Sequence, residues 1–189
     1  MLAGCFNEPE PAEKSVPAES RLYLQDRRLN DLKGVDLSKV GDYLNLDRNQ
    51  LTNIDEVAAC KGLKWLRLNH NRLAALPDLS GHKELRRIYL RGNNFTEVPE
   101  CLKDLPNLTD IDLSGCPITE IPEWLAKKEG LENLAFNATK LTKLPADISA
   151  WRSLKSLQLG ELHLSADEMA RIRAAFDPKH NPLGTAVIF

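Results

Sequence analysis

The side chains that carry most covalent and metal chemistry are few in this chain: cysteines at Cys5, Cys60, Cys101 and Cys116, and histidines at His70, His82, His163 and His180. A zinc site needs such ligands at short spacings, and neither a Cys-x-x-Cys nor a close His-x-His pair occurs. Nucleophilic, phosphoryl-transfer and metallopeptidase chemistry have local signatures, and the sequence contains no G-x-S-x-G, G-x-x-x-x-G-K-[ST] or H-E-x-x-H. The stretch "DIDLSG" from Asp110 to Gly115 mimics the first half of a calcium loop. Its twelfth position is Ile121, where a bidentate glutamate is required, and Ile111 and Leu113 fall on apolar repeat positions. No catalytic residue, metal ligand or cofactor is therefore expected.

One cysteine stands apart. Leu2, Ala3, Gly4 and Cys5 spell the small-residue-then-cysteine pattern of a bacterial lipobox, in which the thiol is acylated. Such a motif closes a secretory signal with a basic stretch and an apolar run of about 7 to 15 residues, whereas here only Met1 precedes it. The expectation is the truncated end of a lipoprotein signal, with Cys5 as the lipidated residue. Phe6, rather than an aspartate, in the next position resembles outer-membrane retention. Residues 6–20, "FNEPEPAEKSVPAES", are rich in Pro, Glu and Ser and poor in apolar side chains, which suits a tether. The competing expectation is a cytoplasmic protein in which the motif is chance, since cysteines without a disulfide pattern suit a reducing compartment.

The bulk properties narrow the partners. The 189 residues carry 25 Lys plus Arg against 27 Asp plus Glu, a net charge of -2, so no overall field draws the chain to nucleic acid or anionic lipid. A chain of this length buries a core without disulfide support. No apolar run approaches the ~18 residues that a spanning helix needs, so membrane association would come only through Cys5.

The elements that position everything else come from an internal repeat. Aligning "LNLDRNQLTNI", "LRLNHNRLAALP", "IYLRGNNFTEVP", "IDLSGCPITEIP" and "LAFNATKLTKLP" places Asn49, Asn71, Asn93, Cys116 and Thr139 in register at spacings of 22, 22, 23 and 23 residues. Weaker copies flank these, with Arg27 and Leu162 in the same slot. Each L-x-L alternates apolar and polar residues at period two, the signature of a short strand with one face buried. A single unit cannot bury its apolar side, so stability must come from stacking. An inward asparagine can satisfy backbone groups of adjacent turns that would otherwise cost about 1 to 3 kcal/mol each. Cys116 and Thr139 are smaller substitutes for that role. Cys60 follows the apolar spacing of Leu51, Ile54, Val57 and Leu63 and reads as core, while Cys101 falls on an outer segment.

Leu63, Leu66, Leu68, Asn71 and Leu73, and again Leu85, Ile88, Leu90, Asn93 and Phe95, closely match L-x-x-L-x-L-x-x-N-x-L. Residues 20–164 thereby resemble the leucine-rich repeat family, and the prolines at Pro77, Pro99, Pro122 and Pro145 resemble its typical and bacterial subclasses. The resemblance implies an α/β solenoid, a horseshoe of about seven repeats with short parallel strands on the concave face. The expected organisation is a tether over 1–20, repeats over 21–164 and a cap over 165–189. In the cap, Ser165 with Glu168 forms a capping box, Met169, Ile172, Ala175 and Phe176 recur at helical spacing, and a short apolar strand follows.

The polar positions of each strand form three columns on the exposed face. One runs Tyr43, Trp65, Arg87, Asp110, Asn133, Ser156; the next Tyr23, Asn45, Arg67, Tyr89, Asp112, Ala135, Gln158; the third Gln25, Asp47, Asn69, Arg91, Ser114, Asn137. Tyr, Trp and Arg dominate binding hot spots because they bury large area and keep polar handles. Tyr23, Tyr43, Trp65, Arg67, Arg87, Tyr89 and Arg91, with His70 at the strand exit, are the candidate partner-binding residues, Trp65 being read as exposed. Trp124 and Trp151 lie on outer segments and read as packing residues. The sequons at Asn94, Asn107 and Asn137 are read as products of the repeat consensus rather than as glycan sites. The expected function is non-enzymatic capture of a protein partner, at a bacterial envelope or, alternatively, as a cytoplasmic scaffold or regulatory subunit.

Overall fold

A computed structural model describes residues 21–177, 179 and 184–189, so Cys5, the tether and His180 lie outside the described residues. Eight short strands make one open, all-parallel sheet in strict sequence order. They are β1 (Arg21–Tyr23), β2 (Tyr43–Asn45), β3 (Trp65–Arg67), β4 (Arg87–Tyr89), β5 (Asp110–Asp112), β6 (Asn133–Ala135), β7 (Ser156–Gln158) and β8 (Ala186–Ile188). Among the described residues, two helices, α1 (Glu123–Ala126) and α2 (Ala166–Ala175), and three 3-10 turns lie between strands. The first seven strands come from the repeats and β8 from the terminal cap, as the expected solenoid requires.

The register follows from period-two alternation. Leu44, Leu66, Ile88, Ile111, Leu134 and Leu157 stack at the strand centres and are fully buried, so a one-residue slip would turn every one of them outward. The pairing Tyr43↔Trp65↔Arg87↔Asp110↔Asn133↔Ser156 matches the first column expected from sequence.

The inward slot is filled as expected. Asn71 Nδ2 donates to the carbonyls of Leu46 and Leu68, both at 3.0 Å, while its Oδ1 accepts from Leu51 N at 3.1 Å. Asn49 and Asn93 repeat the pattern one repeat to either side. Cys116 makes one such contact, Sγ to Leu90 O at 3.3 Å, and Thr139 Oγ1 bonds Phe136 O at 2.9 Å. The shorter side chains reach fewer backbone groups. Just before this slot the chain turns sharply, with positive φ at Arg48, His70, Gly92, Gly115, Ala138 and Glu161. Gly92 is required for a second reason, since a Cβ there would lie 2.7 Å from His70 Nδ1.

The end caps differ in kind. At the C-terminal side, Ser165 accepts from Glu168 N and starts α2. Glu168 also accepts from Leu144 N, and Arg171 donates to Leu144 O, Pro145 O and Ala146 O, fastening α2 to the preceding loop. Ile172 and Phe176 close the core beneath the helix. Trp151 is fully buried with Nε1 on Leu125 O at 3.0 Å, and Trp124 packs against the same core. No described helix is long and apolar enough to cross a membrane.

Candidate protein interface

On the open face of the sheet the large side chains of β1 to β4 touch one another. Ring centroids are 5.2 Å apart for Tyr23 and Tyr43, 5.3 Å for Tyr43 and Trp65, and 6.0 Å for Trp65 and Tyr89. The last two pairs meet edge to face, the arrangement that the ring quadrupoles favour. Arginines interleave with the rings: Arg21 over Tyr43 at 5.9 Å, Arg87 over Trp65 at 4.9 Å and Arg67 over Tyr89 at 5.6 Å. Neighbouring strands lie about 4.8 Å apart, so side chains of this size at adjacent positions must press against each other.

That crowding corrects the expectation of an exposed Trp65. The indole is half-buried, clasped by Tyr43, Tyr89 and Arg87, and Tyr43 and Tyr89 are only 3% and 6% exposed. The surface open to a partner is carried instead by Tyr23, which is 41% exposed, by His70, and by the half-buried Trp65, Arg67, Arg87 and Arg91. The structure brings six of the eight nominated residues, Tyr23, Tyr43, Trp65, Arg67, Arg87 and Tyr89, into one contacting patch across β1 to β4, and places Arg91 two residues beyond β4 and His70 at the margin with its ring over Gly92.

Beneath the aromatics runs a polar network that the sequence did not single out. Arg67 meets the buried Asp47 at 2.8 Å. Asp47 also accepts from Asn69 N at 2.7 Å, and Asn69 Oδ1 accepts from Arg91 N at 2.9 Å. Further along, Asp110 accepts from Asn133 Nδ2 at 2.7 Å and from the Thr109 hydroxyl. Burial holds the Asp110 carboxyl above its ordinary value, with bonds from Thr109 and Asn133 and the charge of Arg87 working the other way. Burial likewise raises Asp112, against its bonds with Ser114. The face is thus polarised, cationic and aromatic over β1 to β4, acidic and small beyond. Arg21 was also missed; its only signal was an arginine one period before Tyr43.

The chemistry-bearing residues fall elsewhere and apart. Cys60 and Cys116 are buried and Cys101 is half-buried against the core, so its outer segment does not leave it open. Burial raises all three thiols, Cys101 and Cys116 to about 11. His82 is fully buried, its ring nitrogens 3.1 Å from Val57 O and 3.3 Å from Leu79 O, a bridge between repeats that the sequence reading missed. Among the described residues no group of three or more His, Cys, Asp or Glu could hold a metal ion.

Comparison with known proteins follows the same lines. A family model described as leucine rich repeat matches residues 61–118. Among solved structures, a leucine-rich repeat protein of Leptospira interrogans is 29% identical with a TM-score of 0.72, over 86% of this chain and 40% of its own. YopM from Yersinia enterocolitica is 29% identical with a TM-score of 0.62, over 77% of this chain and 30% of its own. A Shigella effector leucine-rich repeat domain, at 20% identity and a TM-score of 0.65, covers 90% of this chain and 81% of its own and shows the fold alone. The chain therefore spans well under half the length of the first and second of these. No curated protein matches it. The asparagine slot and the in-register parallel ladder are those of a leucine-rich repeat solenoid, and the chain is similar to bacterial proteins of that architecture.

Proposed function

We propose that the chain is a non-enzymatic capture module that holds a protein partner on the concave face of its first four repeats. A protein-binding module is what the leucine-rich repeat fold implies at the coarser level. The observation that carries the finer reading is the contiguous run of Tyr23, Tyr43, Trp65 and Tyr89 with Arg21, Arg67 and Arg87 between the rings. Aromatic and arginine side chains already held against each other lose little freedom when a partner covers them, which is what a hot spot needs. Co-purification from native lysate tests this. Trp65→Ala with Arg91→Ala should lose partners that the wild type and an outer-face control, Glu97→Ala with Glu100→Ala, retain; identical partner sets overturn the reading.

The Leu2-Ala3-Gly4-Cys5 motif supports placement at a bacterial envelope, anchored through acylated Cys5 in the outer membrane. A cytoplasmic scaffold is the second reading, favoured by the free thiols of Cys60, Cys101 and Cys116. Metabolic labelling with a fatty acid separates them. Label present in wild type and lost in Cys5→Ser supports the anchor, and an unlabelled wild type excludes it.

A further inference from the structure

A pocket of about 260 Å³ opens at the leading ends of β1 to β4, lined by Arg21, Tyr43, Lys64, Trp65, Arg86 and Arg87. Every lining residue is the first of its strand or the one before it, so the strict register of the ladder builds the pocket. Four cations face one acidic residue, Asp42. Arg87 leans on Trp65 and Asp110. Lys64 and Arg86 are exposed and have no carboxylate partner among the described residues. Two donors on lining side chains, Arg21 Nε and Trp65 Nε1, are buried without an acceptor. Buried donors are almost always satisfied in folded proteins, and here both belong to side chains of one cation-rich cavity.

We propose that this pocket seats the carboxylate of an acidic side chain on the partner protein, deepening the reading of the concave face on which it rests. A carboxylate accepts from guanidinium and indole N–H groups together, and arginine is shaped for it. The cavity has room for a side chain rather than a nucleotide strand, and the sheet beyond it turns acidic at Asp110 and Asp112. A polyanion following the ladder would meet those carboxylates. A protein segment with a single acidic group at this end would not.

The test uses the full chain, nitrogen-15 labelled, whose three tryptophans give three indole N–H resonances; Trp65→Phe identifies the one from Trp65. A blocked pentapeptide with one glutamate among four glycines is titrated in, with the same peptide carrying glutamine and inorganic phosphate as separate probes. The glutamate peptide should shift the Trp65 resonance saturably while leaving that of Trp151, already bonded to Leu125 O, in place. Lys64→Glu with Arg86→Glu changes two exposed residues and should weaken binding at least tenfold, with the Trp151 resonance again reporting an intact fold. No saturable shift, an equal shift with the glutamine peptide or phosphate, or unchanged affinity in the double variant overturns the proposal. A Trp65 shift on replacing Glu8, Glu10, Glu13 and Glu19 by glutamine, without peptide, assigns the pocket to the chain's own segment and overturns it too. Failure of peptide binding with partner capture intact removes the pocket alone; loss of the differential capture with peptide binding intact removes the reading of the face alone.

Discussion

The guanidinium carbon of Arg87 lies 4.9 Å from the centroid of the Trp65 ring, whereas its Nε is 3.9 Å from the Asp110 carboxylate. Cross-strand neighbours of opposite charge ordinarily pair, yet here the aromatic ring is the better-made contact and Asp110 takes its short bonds from Thr109 and Asn133. Arg87 therefore braces Trp65 more than it neutralises Asp110. A double-mutant cycle between Arg87→Ala and Trp65→Leu should give a coupling of about 0.5 to 1 kcal/mol, above that between Arg87→Ala and Asp110→Asn. Urea unfolding of the single and double variants measures both.

The inward slot yields a graded series. Asn71 satisfies two carbonyls and one N–H that are otherwise buried, and an orphaned buried group costs about 1 to 3 kcal/mol. Asn71→Ala should lower the unfolding free energy by about 3 kcal/mol or more. Thr139→Ala, which gives up one bond, should cost about 1 kcal/mol. Equal losses at the two positions would mean that the backbone groups find other partners.

Much of this was legible because both the repeat and the strand have fixed periods. Asn49, Asn71 and Asn93 had to point inward together, and the three columns of the sheet face followed from the L-x-L register without knowledge of any contact. Burial within those columns was not legible. Tyr43 and Tyr89 sit at positions that are nominally exposed, and they vanish beneath Tyr23, Trp65 and Arg67 because the neighbouring strands also carry large side chains. The N-cap bond at Ser165, one half of the expected capping box, was readable as a local pattern. The use of the Glu168 carboxylate to accept from Leu144 N and Arg171 was not, because it depends on where the helix lands. His82 was opaque for the same reason, its partner Val57 O being 25 residues away.

Asp112 makes a prediction with a definite sign. Burial raises its folded-state value above that of the unfolded chain, so its contribution to stability is fully present below the unfolded value, about pH 4, and is lost as pH rises through the folded one. At neutral pH, well above the unfolded value, the buried carboxyl is a net cost. Asp112→Asn keeps an oxygen for the Ser114 N–H and should be more stable than wild type at pH 7 while matching it more closely near pH 3. Thermal unfolding at the two pH values checks this, and a variant less stable at pH 7 would mean that the charge is compensated on the face.

The buried thiols give the last prediction. Burial lifts Cys101 and Cys116 to about 11, and the thiolate is the reactive form. Against an ordinary thiol near 9, two pH units lower the thiolate fraction about 100-fold. In a Cys5→Ser, Cys60→Ser background at pH 7.5, a disulfide reagent should therefore modify the native chain about 100-fold more slowly than the urea-unfolded chain, where both remaining thiols react. The same shift carries a stability cost at high pH. The protonated thiols suit the core, their contribution is complete below about pH 9, and it falls away as pH rises through about 11, when the folded state must hold charges that the unfolded chain sheds to water. Cys116→Ser retains a donor for Leu90 O but moves its ionisation out of that range, so its unfolding midpoint should decline less than that of wild type between pH 9 and 11. A parallel decline in both proteins would place the alkaline sensitivity elsewhere.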